Sequence, residues 1–260
     1  MKPPYSIIGI LALHAAPVAA QPYQPKVFGE FEIAYGQTEI DELDETVDSL
    51  TLEGAAAFVS PGGLGVQLGG GYASLDVEGS GEVDTYALDA HLYGDRGGYK
   101  IGVFVGHLEI DEVEIYGLGA ADADTSTLSY GAEGQGRHGG IGYHGYIGQV
   151  DVDDTDNILY GVGAEFVVTP VLELTANYDA AKFSVDGDAE ELEASTLTVG
   201  ADYYLEQAPL RLSASIGRTN LEYDGEDADV TNFGIGATYL FGGDSGSGRE
   251  RLFESLRLAL

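Results

Sequence analysis

"TNFGIGATYLFGG", Thr231 to Gly243, decides how this chain is read. Phe233, Ile235, Ala237, Tyr239 and Phe241 fall on alternate positions, and Gly234, Gly236, Thr238 and Leu240 lie between them. A period of two sends successive side chains to opposite faces of a β-strand. One face is greasy and the other is small or polar. Such a strand packs its apolar face on a water-soluble core or turns it outward to lipid.

Alternating segments recur from Lys26 to Phe241, and twelve can be counted, an even number. The links between them differ by side. After each even segment the link is tight and rich in Gly or Pro, as in "SPGG", "GDRGG", "GQGRHGG", "TP" and "EQAP". These residues have defined backbone reasons to turn. After each odd segment the link is longer and acidic, as in "TEIDELDETVD", "DVDDTDN", "SVDGDAEELE" and "EYDGEDADV". Short turns at one end and long loops at the other is the asymmetry of an outer-membrane barrel with periplasmic turns and extracellular loops. A lipocalin-like barrel or a sandwich also alternates, but it would present charge on the face opposite the core. Here that face carries Gly, Ala, Ser and Thr with spaced carboxylates, which suits a crowded polar lumen. Tyr35, Phe58, Tyr72, Tyr99, Tyr160, Phe166, Tyr178 and Tyr203 sit near segment ends on the apolar face, as interfacial girdles require. The predicted fold is all-β: a transmembrane antiparallel barrel of about twelve strands.

The two ends of the barrel carry a resemblance. "FGIGATYLF" resembles the last strand of Gram-negative porins, whose assembly signal ends in an aromatic residue preceded by alternating apolar ones. Phe241 would be that aromatic, with Phe233, Ile235 and Tyr239 before it, read by the barrel-assembly machinery. "KVFGEFEIAYG" likewise resembles a porin first strand. The resemblance implies an outer-membrane channel. Two departures stand out: the general porins have sixteen strands and a long constricting loop, whereas the longest link here, Glu109 to Ser126, is modest. The chain also continues past Phe241.

The predicted organisation has three parts. Residues 1–20 read as a cleaved signal peptide, with one Lys, an apolar run, and Val18 and Ala20 before the cut. Residues 21–243 form the barrel. Residues 244–260 read as a Gly/Ser linker and a short amphipathic helix, with Leu252, Phe253, Leu256 and Leu260 on one face.

Composition narrows function. The chain holds 44 acidic residues against 11 Lys and Arg, a net charge of −33, and no Cys. Such a polyanion excludes phosphate-neutralising nucleic-acid binding, and no disulfide staples it. Parity turns Glu30, Glu32, Glu53, Asp89, Glu133, Glu165, Glu173, Asp179 and Asp202 into the lumen. Lys100 and Arg211 are the firm inward bases, with His91 and His144 as partial charges. An acidic excess implies internal water; the alternative is a closed interior in which carboxylates bond to lumenal Tyr or Ser. Nine carboxylates against two bases predict a cation-selective diffusion channel for small hydrophilic solutes, with a non-conducting structural barrel as the other reading. No Ser–His or carboxylate–His spacing suggests catalysis. "DVDDTDN" lacks the Gly and terminal Glu of an EF-hand loop, so no metal site or cofactor is predicted. The acidic loops would bind divalent cations weakly, bridging to lipopolysaccharide. The number of copies that assemble is not readable from the sequence.

Overall fold

The strands follow the alternation. In the computed structural model, β1 (Lys26–Ile40), β2 (Glu45–Val59), β3 (Leu64–Val77), β4 (Gly81–Asp95), β5 (Tyr99–Ile115) and β6 (Gly119–His138) make the first half. The second half is β7 (Ile141–Val152), β8 (Thr155–Thr169), β9 (Leu172–Ser184), β10 (Glu191–Tyr204), β11 (Leu210–Tyr223) and β12 (Glu226–Gly242). The structure describes residues 25–40, 45–77, 81–115, 119–152, 155–184, 191–223, 226–242 and 251–253. The signal-peptide reading of residues 1–20 lies outside them.

Each strand pairs antiparallel with its sequence neighbours, and β1 pairs with β12 to close the barrel. The closing seam sets Phe31 against Tyr239 and Ile33 against Ala237. Closure leaves no unpaired edge, the condition for a sheet to cross lipid. Strands of 12 to 20 residues exceed the 9–11 or so that a bilayer needs, and the surplus lies toward the acidic end. Much of what reads as acidic loop is therefore strand. The Glu109–Ser126 link shortens because Val113 pairs with Ala121 and Ile115 with Gly119, beyond a register shift between Ile110 and Glu112.

Outside, the barrel is greasy. Ile101 is 70% exposed, Leu88 65% and Ile235 63%, which a soluble protein would bury and lipid covers. Phe233, Tyr239 and Phe241 face outward beside Ile235. Tyr72 and Tyr86 pack together toward the acidic end, as do Tyr160 and Tyr178, while Tyr99 and Tyr143 pack near the tight turns. Tyr35 and Tyr72 donate to Asp48 and Asp84 from the outer girdle, so each ring sits in the apolar band with its hydroxyl toward water.

The turns are built by glycine where it is needed. Gly63 takes φ 79° and lies so close to the Asp95 carbonyl that a Cβ would come within 2.4 Å of it. That approach lets the Asp95 amide donate to the Gly63 carbonyl and ties two neighbouring turns together.

The lumen as candidate functional site

All eleven parity-assigned residues project into the barrel, and most of them converge near the tight-turn end. Arg211, the second residue of β11, reaches Glu32 on β1 at 3.0 Å and Glu30 at 3.7 Å. Thr238 donates to the same Glu32 oxygen at 2.7 Å. His91 on β4 lies between Asp89 and Glu133, 2.6 and 2.8 Å from them. The Tyr146 hydroxyl donates to Asp179, and that of Tyr204 to Glu173. Glu53 stands in register with Glu32 and is half-buried. His144 also faces inward, its ring over Gly163. Among the described residues no group of His, Cys, Asp and Glu is arranged to hold a metal ion.

Two further bases enter the lumen, which the sequence reading did not assign there. Arg137, within the tight link "GQGRHGG" of the sequence, sits near the end of β6 with the inward parity of Glu133 and bridges Glu165 (3.0 Å) and Glu173 (2.8 Å). Its path is clear because Gly142, which pairs with both Arg137 and Glu165 in the sheet, has no side chain; a Cβ there would meet Glu165 Oε2 at 2.4 Å. Counting from Glu133 in steps of two would have found Arg137.

The second is Arg251, from beyond the barrel. Its Nη1 lies 2.7 Å from Glu165, and its Nη2 lies 3.0 Å from Glu173 and 3.6 Å from Asp202. Glu173 is wholly buried by these contacts. The Arg251 carbonyl accepts from Lys100 at 2.7 Å and Gln135 at 3.0 Å. Next to it, Leu252 and Phe253 are buried against Phe28, Ala57, Val59 and Tyr93. Arg251, Leu252 and Phe253 are not helical. This differs from the amphipathic helix expected over this stretch: lumenal carboxylates and a lumenal apolar pocket take the polar and apolar side chains that a helix would have sorted onto two faces. The rest of the expected linker and helix lies outside the described residues.

The lumen is also less uniformly polar than parity suggested. Phe104, Val150 and Leu159 form an inward apolar cluster with Tyr146 and Ala181 beside it. Phe104 lies over Gly131 and Gly148, an aromatic covering glycines that would otherwise expose backbone. Beyond the Arg251–Phe253 segment is a cavity of about 330 Å³, bordered by Thr51, Glu133, Asp179, Asp202 and Arg211. The site is thus an acidic vestibule floored by a piece of the chain's own C-terminal region.

The sequence model of Gram-negative porins matches residues 115–245. This chain belongs to the Gram-negative porin family. The match ends shortly after β12, so Arg251 and its neighbours lie outside it. Among solved structures, this porin is similar to the KdgM porin in complex with disordered oligogalacturonate, at 7% identity and TM-score 0.50, over 82% of this chain and 99% of that one. It is also similar to a loop-deletion form of OmpT, an outer membrane protein of Vibrio cholerae (13%, TM-score 0.47, 84% and 99%). A third is the β domain of the Bordetella autotransporter BrkA (17%, TM-score 0.47, 84% and 100%). At these identities the likeness is one of fold. A search of curated proteins returned no match. Family and barrel together make this an outer-membrane channel protein.

Proposed function

We propose that this porin is a weakly specific, cation-preferring diffusion channel for small hydrophilic solutes, exported by a signal peptide cleaved after Ala20. The observation that carries the reading is the charge of the lumen. Nine carboxylates assigned by parity face it among the described residues, and the bases that meet them gather at the tight-turn end. Low-dielectric walls concentrate such a field, raising cation entry and opposing anions. The vestibule above Arg251, edged by Glu32, Glu133, Asp179 and Asp202 against Arg211 and Arg251 itself, offers a polar route in which acids outnumber bases. Anionic sugars and phosphate fit it poorly. No catalytic role is assigned to any residue.

A second reading is supported by the floor of that vestibule. Leu252 and Phe253 fill the apolar pocket of the mouth, as they would in a barrel that does not conduct and serves as structure or as a surface-interaction protein. The two readings part in one experiment. Refolded protein lacking residues 244–260 is placed in a planar bilayer, and the reversal potential is read across a KCl gradient. It is repeated with Glu53→Gln, Glu165→Gln and Asp202→Asn. The channel reading expects a cation-preferring potential that falls toward zero as the three carboxylates are neutralised. An anion-preferring potential refutes the charge argument, and absence of conductance favours the structural barrel.

A further inference from the structure

We infer that the periplasmic mouth is a binding site for a guanidinium-bearing peptide segment, and that Arg251-Leu252-Phe253 occupies it as the chain's own ligand, closing the pore. The segment is no part of the sheet: the twelve strands close through β1 and β12 without it. The contacts are nevertheless those of a built recognition site.

Three features read three parts of the segment. The guanidinium of Arg251 is forked, with Nη1 on Glu165 and Nη2 toward Glu173 and Asp202. A planar fork can divide its donors between carboxylates on three different strands, and an ammonium cannot reproduce that geometry. Gln67 is wholly buried on β3 and gives both ends of its amide to Phe253. Its Nε2 donates to the Phe253 carbonyl at 2.8 Å, and its Oε1 accepts from the Phe253 amide at 2.8 Å. That pair of hydrogen bonds reads the main chain of the segment through a side-chain amide. The Phe253 ring stacks on His91 at 5.6 Å and 7° and meets the edge of Tyr93 at 5.1 Å. Tyr93 can lie flat there because Gly65 and Gly102 leave its bed open; a Cβ on either would come within 2.7 Å of it.

The reach is adequate. Nine residue steps separate Gly242 from Arg251, and an extended chain spans up to about 3.3–3.6 Å per residue. That is roughly 30 Å, while Gly242 already stands at the same rim, opposite Phe28. A tethered ligand meets its site at an effective concentration in the millimolar range for a short flexible linker. A free peptide must therefore compete against it, and binds readily only when the tail is gone.

The site and its occupation can be measured apart from conduction, although the closure they imply rests on the channel reading above. The protein without residues 244–260 is refolded in detergent, and heat-modifiable gel mobility reports that the barrel has formed. A fluorescein-labelled synthetic peptide, Gly-Ser-Gly-Arg-Leu-Phe-amide, is titrated into it and followed by anisotropy. Saturable binding is expected, at least tenfold weaker for the peptide with Lys in place of Arg, and at least tenfold weaker in the same barrel carrying Gln67→Ala. Full-length protein should bind at least tenfold more weakly than the truncated form. No saturable binding to a folded truncated barrel, or equal binding by both forms, overturns the inference. In bilayers the truncated form should conduct several-fold more than the full chain, and the peptide on the periplasmic side should reverse the gain. Equal conductance of two conducting forms overturns the closure. Saturable binding without conductance in either form supports the site and removes the channel reading instead.

Discussion

Phe253→Ala tests the closure through a single side chain. The Phe253 ring is 4% exposed, stacked on His91 and edge-on to Tyr93. When the segment leaves the mouth the ring enters water, so the relevant quantity is transfer from an apolar pocket. Burying a side chain of this size stabilises by about 1.5–3 kcal/mol, and an aromatic pair adds about 0.5–1.5 kcal/mol. Alanine should then lose about 3 kcal/mol of docking free energy. The adjoining cavity can refill the gap with water, which keeps the further penalty of an empty, sealed hole out of the sum. The main-chain bonds to Gln67 survive the change. At about 1.4 kcal/mol per tenfold, opening should become roughly a hundredfold more frequent. Single-channel recording of full-length protein reads this directly, with Phe253→Leu as an intermediate that keeps much of the apolar volume. An opening frequency that changes by less than about twofold in Phe253→Ala would refute the reasoning, as would an identical response from both variants.

The lipid face gives a second test. Leu88 lies midway along β4 and is strongly exposed, so Leu88→Arg should cost about 2–4 kcal/mol in denaturant unfolding from vesicles, whereas inward Thr198→Arg should not show that depth-dependent loss. Gly131→Ala should destabilise by about 1–3 kcal/mol or prevent folding, because the new Cβ would lie 2.2 Å from the Ile147 carbonyl. Gly94→Ala, with nothing within 4 Å, should leave the melting temperature unchanged or raise it slightly. Chelators should lower that temperature in lipopolysaccharide-containing membranes, where divalent ions would bridge loop carboxylates to phosphates; an unchanged melt would remove the bridging idea.

Strand alternation made the barrel legible because each strand carries its own record of which face meets lipid. The inward side of a strand can be read from its neighbours, as Glu165 can from exposed Phe166 beside it. Two things were not local. Phe104 reads as an inward aromatic, since Val103 and Val105 face outward, yet the glycines it covers are fixed only by the register that sets it against Gly131 and sets Gly131 against Gly148. Arg251 follows a Gly/Ser stretch and carries no periodic constraint, so nothing near it in sequence announces three carboxylates from β8, β9 and β10. The hint lay elsewhere, in an acidic excess gathered at one end of the lumen that Arg137 and Arg211 on the strands only partly match. Leu252 and Phe253, expected on a helix face, meet a lumenal pocket instead, because a pocket can sort polar from apolar side chains as a helix face does.

Charge and closure are then one equilibrium rather than two properties. With the segment docked, Arg251 and Arg137 stand among Glu165, Glu173 and Asp202. Undocking removes one guanidinium, and carboxylates left there must be hydrated, since buried charge without a partner is costly. On the proposed reading the open mouth should be wet and more negative than the closed one, and the cation preference should belong to the open state. Potassium ions should then compete with Arg251 for the same oxygens. Raising KCl from 0.1 to 1 M shortens the screening length from about 10 to about 3 Å, so opening frequency should rise several-fold while the reversal potential loses its cation bias. Paired recordings at the two salt concentrations measure both. If openings instead become rarer at 1 M, the hold on the segment is chiefly the apolar seating of Leu252 and Phe253, and the electrostatic account of closure fails.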